Sequence, residues 1–77
     1  MMIYVILDFT KYNREKVVSE LKSEKYKHSF FISTDQDIKI KHKCMDLANE
    51  VWCFGDCEKM YDYKLAKKKG KDTWQMG

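Results

Sequence analysis

The residues best suited to chemistry are carboxylates that follow apolar runs. Asp8 comes directly after the run 2–7, and Asp56 follows Gly55 at the end of the run 51–54. If these runs are parallel strands, the loops at their carboxyl ends are where ligands bind, at the point where the strand order reverses. A glycine there lets a ligand approach the backbone, and free N–H groups at the start of a helix favour an anion. The predicted ligand-binding residues are Asp8, Phe9, Thr10, Phe54, Gly55, Asp56, Cys57 and Tyr61.

Asp62 is a further candidate, one turn into the helix that is predicted to follow Asp56. Asp56 is predicted to cap this helix, with Glu58 in the first turn complementing the helix dipole. Asp62 could face the same cleft as the two loops, but spacing alone favours a solvated carboxylate, because charged side chains are mostly exposed. A lone Gly55 is not a glycine-rich phosphate-binding motif, so the signal for phosphate is weak.

Strands and helices must alternate to position these residues. Apolar and β-branched runs predict strands at 2–7, 29–33 and 51–54, and a last, short edge strand is predicted at 72–76. Helices are predicted at 14–25, at 37–49 and from Asp56 to Lys69, with Asn13 as the first N-cap and Gly70 after the last turn. Residues 38–43 also alternate with period 2, so a hairpin strand paired with 29–33 is the alternative there.

This order predicts the fold, because strands that alternate with helices form a parallel sheet with crossover connections. We predict an α/β fold: a minimal doubly wound three-layer sandwich of the Rossmann or flavodoxin-like type. It has a four-stranded parallel sheet, three helices and one domain spanning 1–77. A chain this short buries only about 60% of its unfolded surface. A second subunit is therefore expected to close any deep site, and a homodimer or larger assembly is predicted.

Composition excludes several classes of protein. The chain is 44% hydrophobic and 35% charged, which is too apolar for a disordered protein. No apolar run approaches the ~18 residues of a membrane span, and the N-terminal run has no basic segment or cleavage site, so a cytoplasmic protein is expected. The net charge is +3 and Arg14 is the only arginine. Nucleic acid is therefore a disfavoured partner, because arginine performs most bidentate reading of bases and phosphates.

The three cysteines predict buried thiols in a reducing compartment rather than disulfides. Their number is odd, and Cys53 and Cys57 are not spaced as a C-x-x-C motif. Together with His28 and His42, the cysteines could be considered as zinc ligands, but the sequence lacks the paired C-x-x-C motifs that would support a zinc site. No metal and no cofactor are predicted.

Two segments of the chain resemble a known family. Residues 49–56 contain Val51-Trp52 followed by Gly55, and residues 62–71 contain Ala66 followed by Gly70-Lys71. These segments look like the second half of small nucleoside 2-deoxyribosyltransferase-like proteins. The N-terminal Ile3-Tyr4-Val5 and the segment 12–15 are similar to phage-associated members, whereas residues 22–43 match poorly.

The resemblance implies roles for three residues. In the enzymes of this family a glutamate on the last helix attacks the anomeric carbon of a nucleoside, and that position is Asp62 here. An aspartate at the start of the third strand corresponds to Asn49, and a tyrosine in the first strand, which helps to orient the nucleophile, corresponds to Tyr4. A carboxylate nucleophile can split one difficult displacement into two steps. However, Asp62 is one methylene shorter than glutamate, and Asn49 cannot act as an acid or a base.

Three functions are therefore weighed. The first is a phage-encoded, non-catalytic protein that binds a nucleoside or nucleotide, stacks its base on an aromatic ring and sequesters a signalling nucleotide in counter-defence. The second is an N-glycosidase or deoxyribosyltransferase that uses Asp62. The third is a protein-interaction module that inhibits a host enzyme without a small ligand.

Overall fold

A computed structural model describes residues 1–23 and 29–76. Its strands are β1 (Met2–Leu7), β2 (Ser29–Ile32), β3 (Glu50–Phe54) and β4 (Asp72–Met76), and its α-helices are α1 (Arg14–Ser23), α2 (Ile38–Leu47) and α3 (Tyr61–Lys68). A short 3₁₀ turn at Ser33–Asp35 connects β2 to α2. The predicted end of the first helix at 24–25, and His28, lie outside the described residues.

The four strands form one parallel sheet in the order β2-β1-β3-β4, which confirms the predicted α/β fold. β1 lies at the centre and all its residues from Ile3 to Leu7 are buried, as expected for an apolar strand covered on both faces. The chain leaves β1 toward β2 on one side and leaves β3 toward β4 on the other. The strand order therefore reverses between the carboxyl ends of β1 and β3.

Helices cover both faces of the sheet because successive side chains of each strand point to opposite sides. On one face, α1 packs Val17 and Leu21 against the odd-numbered residues of β1 and against Trp52 of β3. On the other face, α2 and α3 pack against the even-numbered residues of β1, including Tyr4. The buried helix residues of this second face are Cys44, Met45, Leu65 and Ala66.

Residues 38–43 are helical, so the hairpin alternative is wrong. Asp37 caps α2, since its side chain accepts a hydrogen bond from the Ile40 amide. In the sequence, Ile40, Cys44, Leu47 and Ala48 recur at helical spacing, which predicts that they share the buried face of this helix. Only part of this prediction is correct, because Cys44 and Ala48 are buried but Ile40 is 46% and Leu47 is 68% exposed.

The last helix begins later than predicted. α3 starts at Tyr61 with Met60 in the N-cap position, so Asp56 does not cap it and Glu58 is not in its first turn. Residues 55–60 instead form a loop after β3. The other end is as predicted, because Gly70 has a φ of +71° just after the helix, in the left-handed region that glycine adopts readily.

Candidate functional site

The Asp8 side chain joins the two loops where the strand order reverses. Its Oδ1 accepts hydrogen bonds from the Thr10 amide (3.0 Å) and the Thr10 hydroxyl (2.6 Å). Its Oδ2 accepts one from the Asp56 amide at 3.0 Å. The Thr10 hydroxyl above all, and then the two amides, hold the pKa of the Asp8 carboxyl below its usual range. The Asp8 carboxylate therefore accepts hydrogen bonds from backbone N–H groups in these loops, where a ligand anion was predicted to bind.

Gly55 serves this contact rather than the approach of a ligand. Its φ is +93°, and a Cβ at this position would lie 2.6 Å from the Cβ of Asp8. Only glycine accommodates both the backbone conformation and the neighbouring side chain. The prediction from sequence recognised a close approach at Gly55 but assigned it to a ligand.

Four other predicted ligand-binding residues differ in their exposure and in their contacts. Phe9 is 60% exposed, but Phe54 is buried and packs edge-on against Tyr12 with 5.7 Å between ring centroids. The Asp56 carboxylate is exposed and pairs with Lys11 at 2.6 Å. Cys57 is 1% exposed.

The Cys57 thiol belongs to the core between β1 and β3. It donates weakly to the carbonyl oxygens of Ile6 (3.7 Å) and Phe54 (3.5 Å). Burial raises the pKa of this thiol to about 12, so it stays protonated near neutral pH. Cys44 and Cys53 are also free and buried. In the part of the chain that the structure describes, no cluster of three His, Cys, Asp or Glu side chains could hold a metal ion.

A buried carboxylate, Asp62, is the centre of a second polar cluster. Asp62 lies in the first turn of α3 and is 4% exposed, so the expectation of a solvated carboxylate is wrong. Its Oδ2 accepts a hydrogen bond from the Tyr4 hydroxyl at 3.3 Å and lies 3.3 Å from the Lys41 ammonium. Burial, reinforced by the Asp62 charge, raises the pKa of Tyr4, which keeps this hydroxyl protonated as a donor.

The second oxygen of Asp62 is the distinctive feature of this cluster. Among the residues that the structure describes, its Oδ1 is buried and has no hydrogen-bond partner. A buried polar atom without a partner costs about 1–3 kcal/mol, so such atoms are rare in folded proteins and need an explanation. A ligand group that donates a hydrogen bond would remove this cost.

Aromatic and imidazole groups lie beside the cluster. Tyr61 precedes Asp62 in α3, is 51% exposed and has its hydroxyl 3.0 Å from Nε2 of His42. His42 follows Lys41 in α2, and its ring lies edge-on to Tyr61 at 6.3 Å. We call these five side chains, Tyr4, Lys41, His42, Tyr61 and Asp62, the Asp62 cluster; its carboxylate is buried and its Tyr61 ring is exposed.

Asn49 makes its hydrogen bonds elsewhere. It lies before β3, where its side-chain oxygen accepts from the Met2 amide at 2.9 Å and its own amide donates to the Met2 carbonyl at 2.8 Å. These bonds fasten the amino ends of β1 and β3. Of the three positions that the family resemblance singles out, the structure therefore joins Tyr4 to Asp62, while the hydrogen bonds of Asn49 go to Met2.

Lys41 was not predicted as a site residue from the sequence, and His42 was considered there only as a zinc ligand. The stripe of α2 that faces the sheet includes Lys41, Cys44, Met45 and Ala48, at intervals of three and four residues. Lys41 was overlooked because charged residues are generally expected to face solvent. The apolar Ile40 and Leu47 were therefore expected on the buried face. The spacing of Lys41, three and four residues before Cys44 and Met45, was the signal from which its position on the buried face could have been predicted.

Comparisons of the chain with protein-family models, with curated proteins and with solved structures find no match. Within the described residues, no helix is both long enough and apolar enough to cross a membrane.

Proposed function

We propose that this protein binds a nucleoside or nucleotide at the Asp62 cluster without converting it. The observation that supports the proposal is the buried Asp62 Oδ1, which has no partner among the described residues. Sugar hydroxyls and base N–H groups are donors of the kind that this oxygen needs. The exposed ring of Tyr61 offers a face on which a base can stack.

Binding without turnover is favoured by the state of the carboxylate. Asp62 Oδ2 lies 3.3 Å from the Lys41 ammonium. A paired carboxylate is a weaker nucleophile than a free one, and departure of a base needs a second group that donates a proton. Asn49, the position that would correspond to such an acid, carries an amide and bonds to Met2.

The second candidate function is N-glycoside hydrolysis or deoxyribosyl transfer with Asp62 as nucleophile. One specific contact favours it, because the Tyr4–Asp62 hydrogen bond joins the tyrosine and the carboxylate that the family resemblance would place together. The proposal of a binder that sequesters a signalling nucleotide for a phage, in the cytoplasm of its host, rests on the same resemblance.

The proposal includes a second copy of the chain. A chain this short cannot enclose a ligand alone, and a neighbouring subunit could cover one bound at the Asp62 cluster. Ile40 and Leu47 lie seven residues apart on one face of α2, and both are substantially exposed. Burying such side chains contributes about 25 cal/mol per Å² of apolar surface, so this face of α2 is the surface that we propose for self-association.

The proposal is tested by thermal unfolding in the presence of nucleosides, 5′-monophosphates and cyclic nucleotides. A ligand that binds only the folded state raises the melting temperature, by an amount that grows with its concentration above Kd. Asp62→Asn should weaken binding of the best ligand about tenfold or more, because a hydrogen bond to a charged group contributes ~1.5–3 kcal/mol. Asp56→Asn is the matched control, since that carboxylate is exposed and pairs with Lys11.

Chromatography of the same mixtures separates the two candidate functions. Deoxynucleosides should remain intact with wild-type protein under the binding proposal. Release of free base that depends on Asp62 would establish the enzyme instead. If no compound of the panel changes the melting temperature and none is cleaved, both candidate functions are contradicted.

A further inference from the structure

β4 forms an open edge of the sheet. It pairs only with β3 among the described strands, so its other side presents backbone N–H and C=O groups to solvent. The strand contains no proline or lysine, which are two devices that proteins use to protect such an edge. Its backbone is therefore available to a further strand.

The two faces beside this edge differ in character. On the α1 face, Trp74 is 54% exposed next to its register partner Trp52, which is 9% exposed. On the opposite face, α3 lies beside β4, and Lys67 lines the same depressions as Thr73 and Trp74. An added strand would thus meet an aromatic surface on one face and an ammonium group on the other, since its side chains alternate between the faces.

The charge on the α3 face is predominantly positive and unpaired. Lys64, Lys67 and Lys68 form no ion pair with any described residue, and the Lys67 ammonium lies 5.5 Å from the ring centroid of Tyr63. The nearby acids are Glu58 and Asp56, beside Gln75 at the carboxyl end of the edge, and Asp72, at its amino end on the α1 face; Asp56 pairs with Lys11. At the middle of the strand, the charge is set by Lys67.

A second copy of this chain is a poor occupant of the edge. Antiparallel pairing of two β4 strands about Trp74 would bring two α3 helices side by side on the same face of the joined sheet. Each helix carries exposed Lys64, Lys67 and Lys68, and like charges brought together at an interface disfavour association. The same positive charge attracts a strand that carries carboxylates.

We propose that β4 is a docking edge for an extended segment of a different protein. The side chains of that segment alternate between apolar residues, which pack on Trp74, and acidic residues, which face Lys67. Backbone hydrogen bonds supply the attachment, and the alternation supplies the specificity, as in other cases of strand addition. This surface is separate from the Asp62 cluster, and its proposed role does not depend on nucleotide binding.

The test uses synthetic eight-residue peptides and fluorescence anisotropy at low salt. A peptide of alternating valine and glutamate should bind at least tenfold more tightly than one of alternating valine and lysine. It should also bind at least tenfold more tightly than its own sequence methylated on alternate backbone nitrogens, because methylation removes the donors of the ladder. Amide chemical shifts in residues 72–76 should change on binding.

Charge reversal identifies the lysine that selects the partner. Lys67→Glu should weaken binding of the valine–glutamate peptide tenfold or more and strengthen binding of the valine–lysine peptide. Lys22→Glu, on the distant α1 helix, is the control and should change neither by more than twofold. Equal binding of the two peptides, no saturation of the valine–glutamate peptide at 1 mM, or a dimer that Trp74→Lys dissociates would overturn the proposal.

Discussion

At the scale of single residues, two aspartates that look alike in sequence perform different tasks. Both carboxylate oxygens of Asp8 accept hydrogen bonds, from the Thr10 and Asp56 amides and from the Thr10 hydroxyl. Asp62 leaves one buried oxygen without a partner in the described part of the chain. The first connects two loops, and the second is the carboxylate at which we propose that a ligand binds.

Substitution of the two glycines that have positive φ separates backbone strain from steric conflict. Gly70→Ala meets no atom within 4 Å, so only its φ of +71° is strained. Gly55→Ala has a φ of +93° and a contact of 2.6 Å with Asp8 as well. Strain alone costs ~1–3 kcal/mol, and we expect Gly55→Ala to lower the melting temperature about 5 °C or more beyond Gly70→Ala. Equal melting temperatures by differential scanning calorimetry would refute the close packing of Asp8 on Gly55.

Acid stability depends on carboxylates whose pKa values are lowered in the folded state. The Thr10 hydroxyl lowers the pKa of Asp8, Arg14 lowers that of Asp35, and Lys69 lowers that of Asp46. A lowered folded pKa means that the stabilisation is complete above the unfolded pKa of ~3.9 and is lost as the pH falls through the folded value.

We therefore expect that these carboxylates leave the melting temperature unchanged near neutral pH. The melting temperature should decrease when the pH is lowered beyond about 4. Asp8→Asn should be less stable than wild type at pH 7 and should lose less stability on acidification. Parallel curves for Asp8→Asn and wild type between pH 7 and pH 3 would show that Asp8 does not contribute to this dependence.

At the scale of elements, local signals were sufficient wherever a hydrogen bond is made within a few residues. Asn13 caps α1, since its side chain accepts from the amides of Glu15 and Lys16. β1, β2 and β3 were predicted because each is a compact apolar or β-branched run, and Gly70 ends α3 for a local conformational reason. Such features require no knowledge of distant parts of the chain.

The failures of prediction come from contacts between distant residues. Asp56 is a good N-cap by type, but its amide is held by Asp8, which lies 48 positions earlier, and α3 begins only at Tyr61. Burial of Asp62 likewise depends on Tyr4 and Lys41, which reach it from two other elements. The strand and helices that bear the candidate site, β1, α2 and α3, could thus be predicted from the sequence, whereas the start of α3 and the geometry of the site could not.

The cap of α2 gives a prediction at this scale. Asp37→Ala removes the acceptor for the Ile40 amide and should lower the free energy of unfolding by ~1 kcal/mol. Asp37→Asn is the matched control, because asparagine caps about as well, and should change it by less than about 0.5 kcal/mol. Urea unfolding followed by circular dichroism measures both, and equal losses for the two variants would contradict the role of the cap.

At the scale of the whole molecule, a chain of 77 residues has two surfaces proposed for other molecules and one for itself. We expect light scattering after size-exclusion chromatography to give the mass of a dimer at micromolar concentration. Leu47→Lys should shift that mass to a monomer, because it places a charge on the apolar face of α2. A wild-type monomer at every concentration would contradict the proposed self-association through α2.

Calorimetric titration of the best nucleoside or nucleotide into wild type, Asp62→Asn and Asp56→Asn tests the central claim most directly. We predict saturable binding to wild type and to Asp56→Asn with similar Kd, no free base among the products, and a Kd about tenfold or more weaker for Asp62→Asn. Equal Kd values for wild type and Asp62→Asn, or no heat from any member of the panel, would contradict the assignment of Asp62 as the ligand-binding carboxylate.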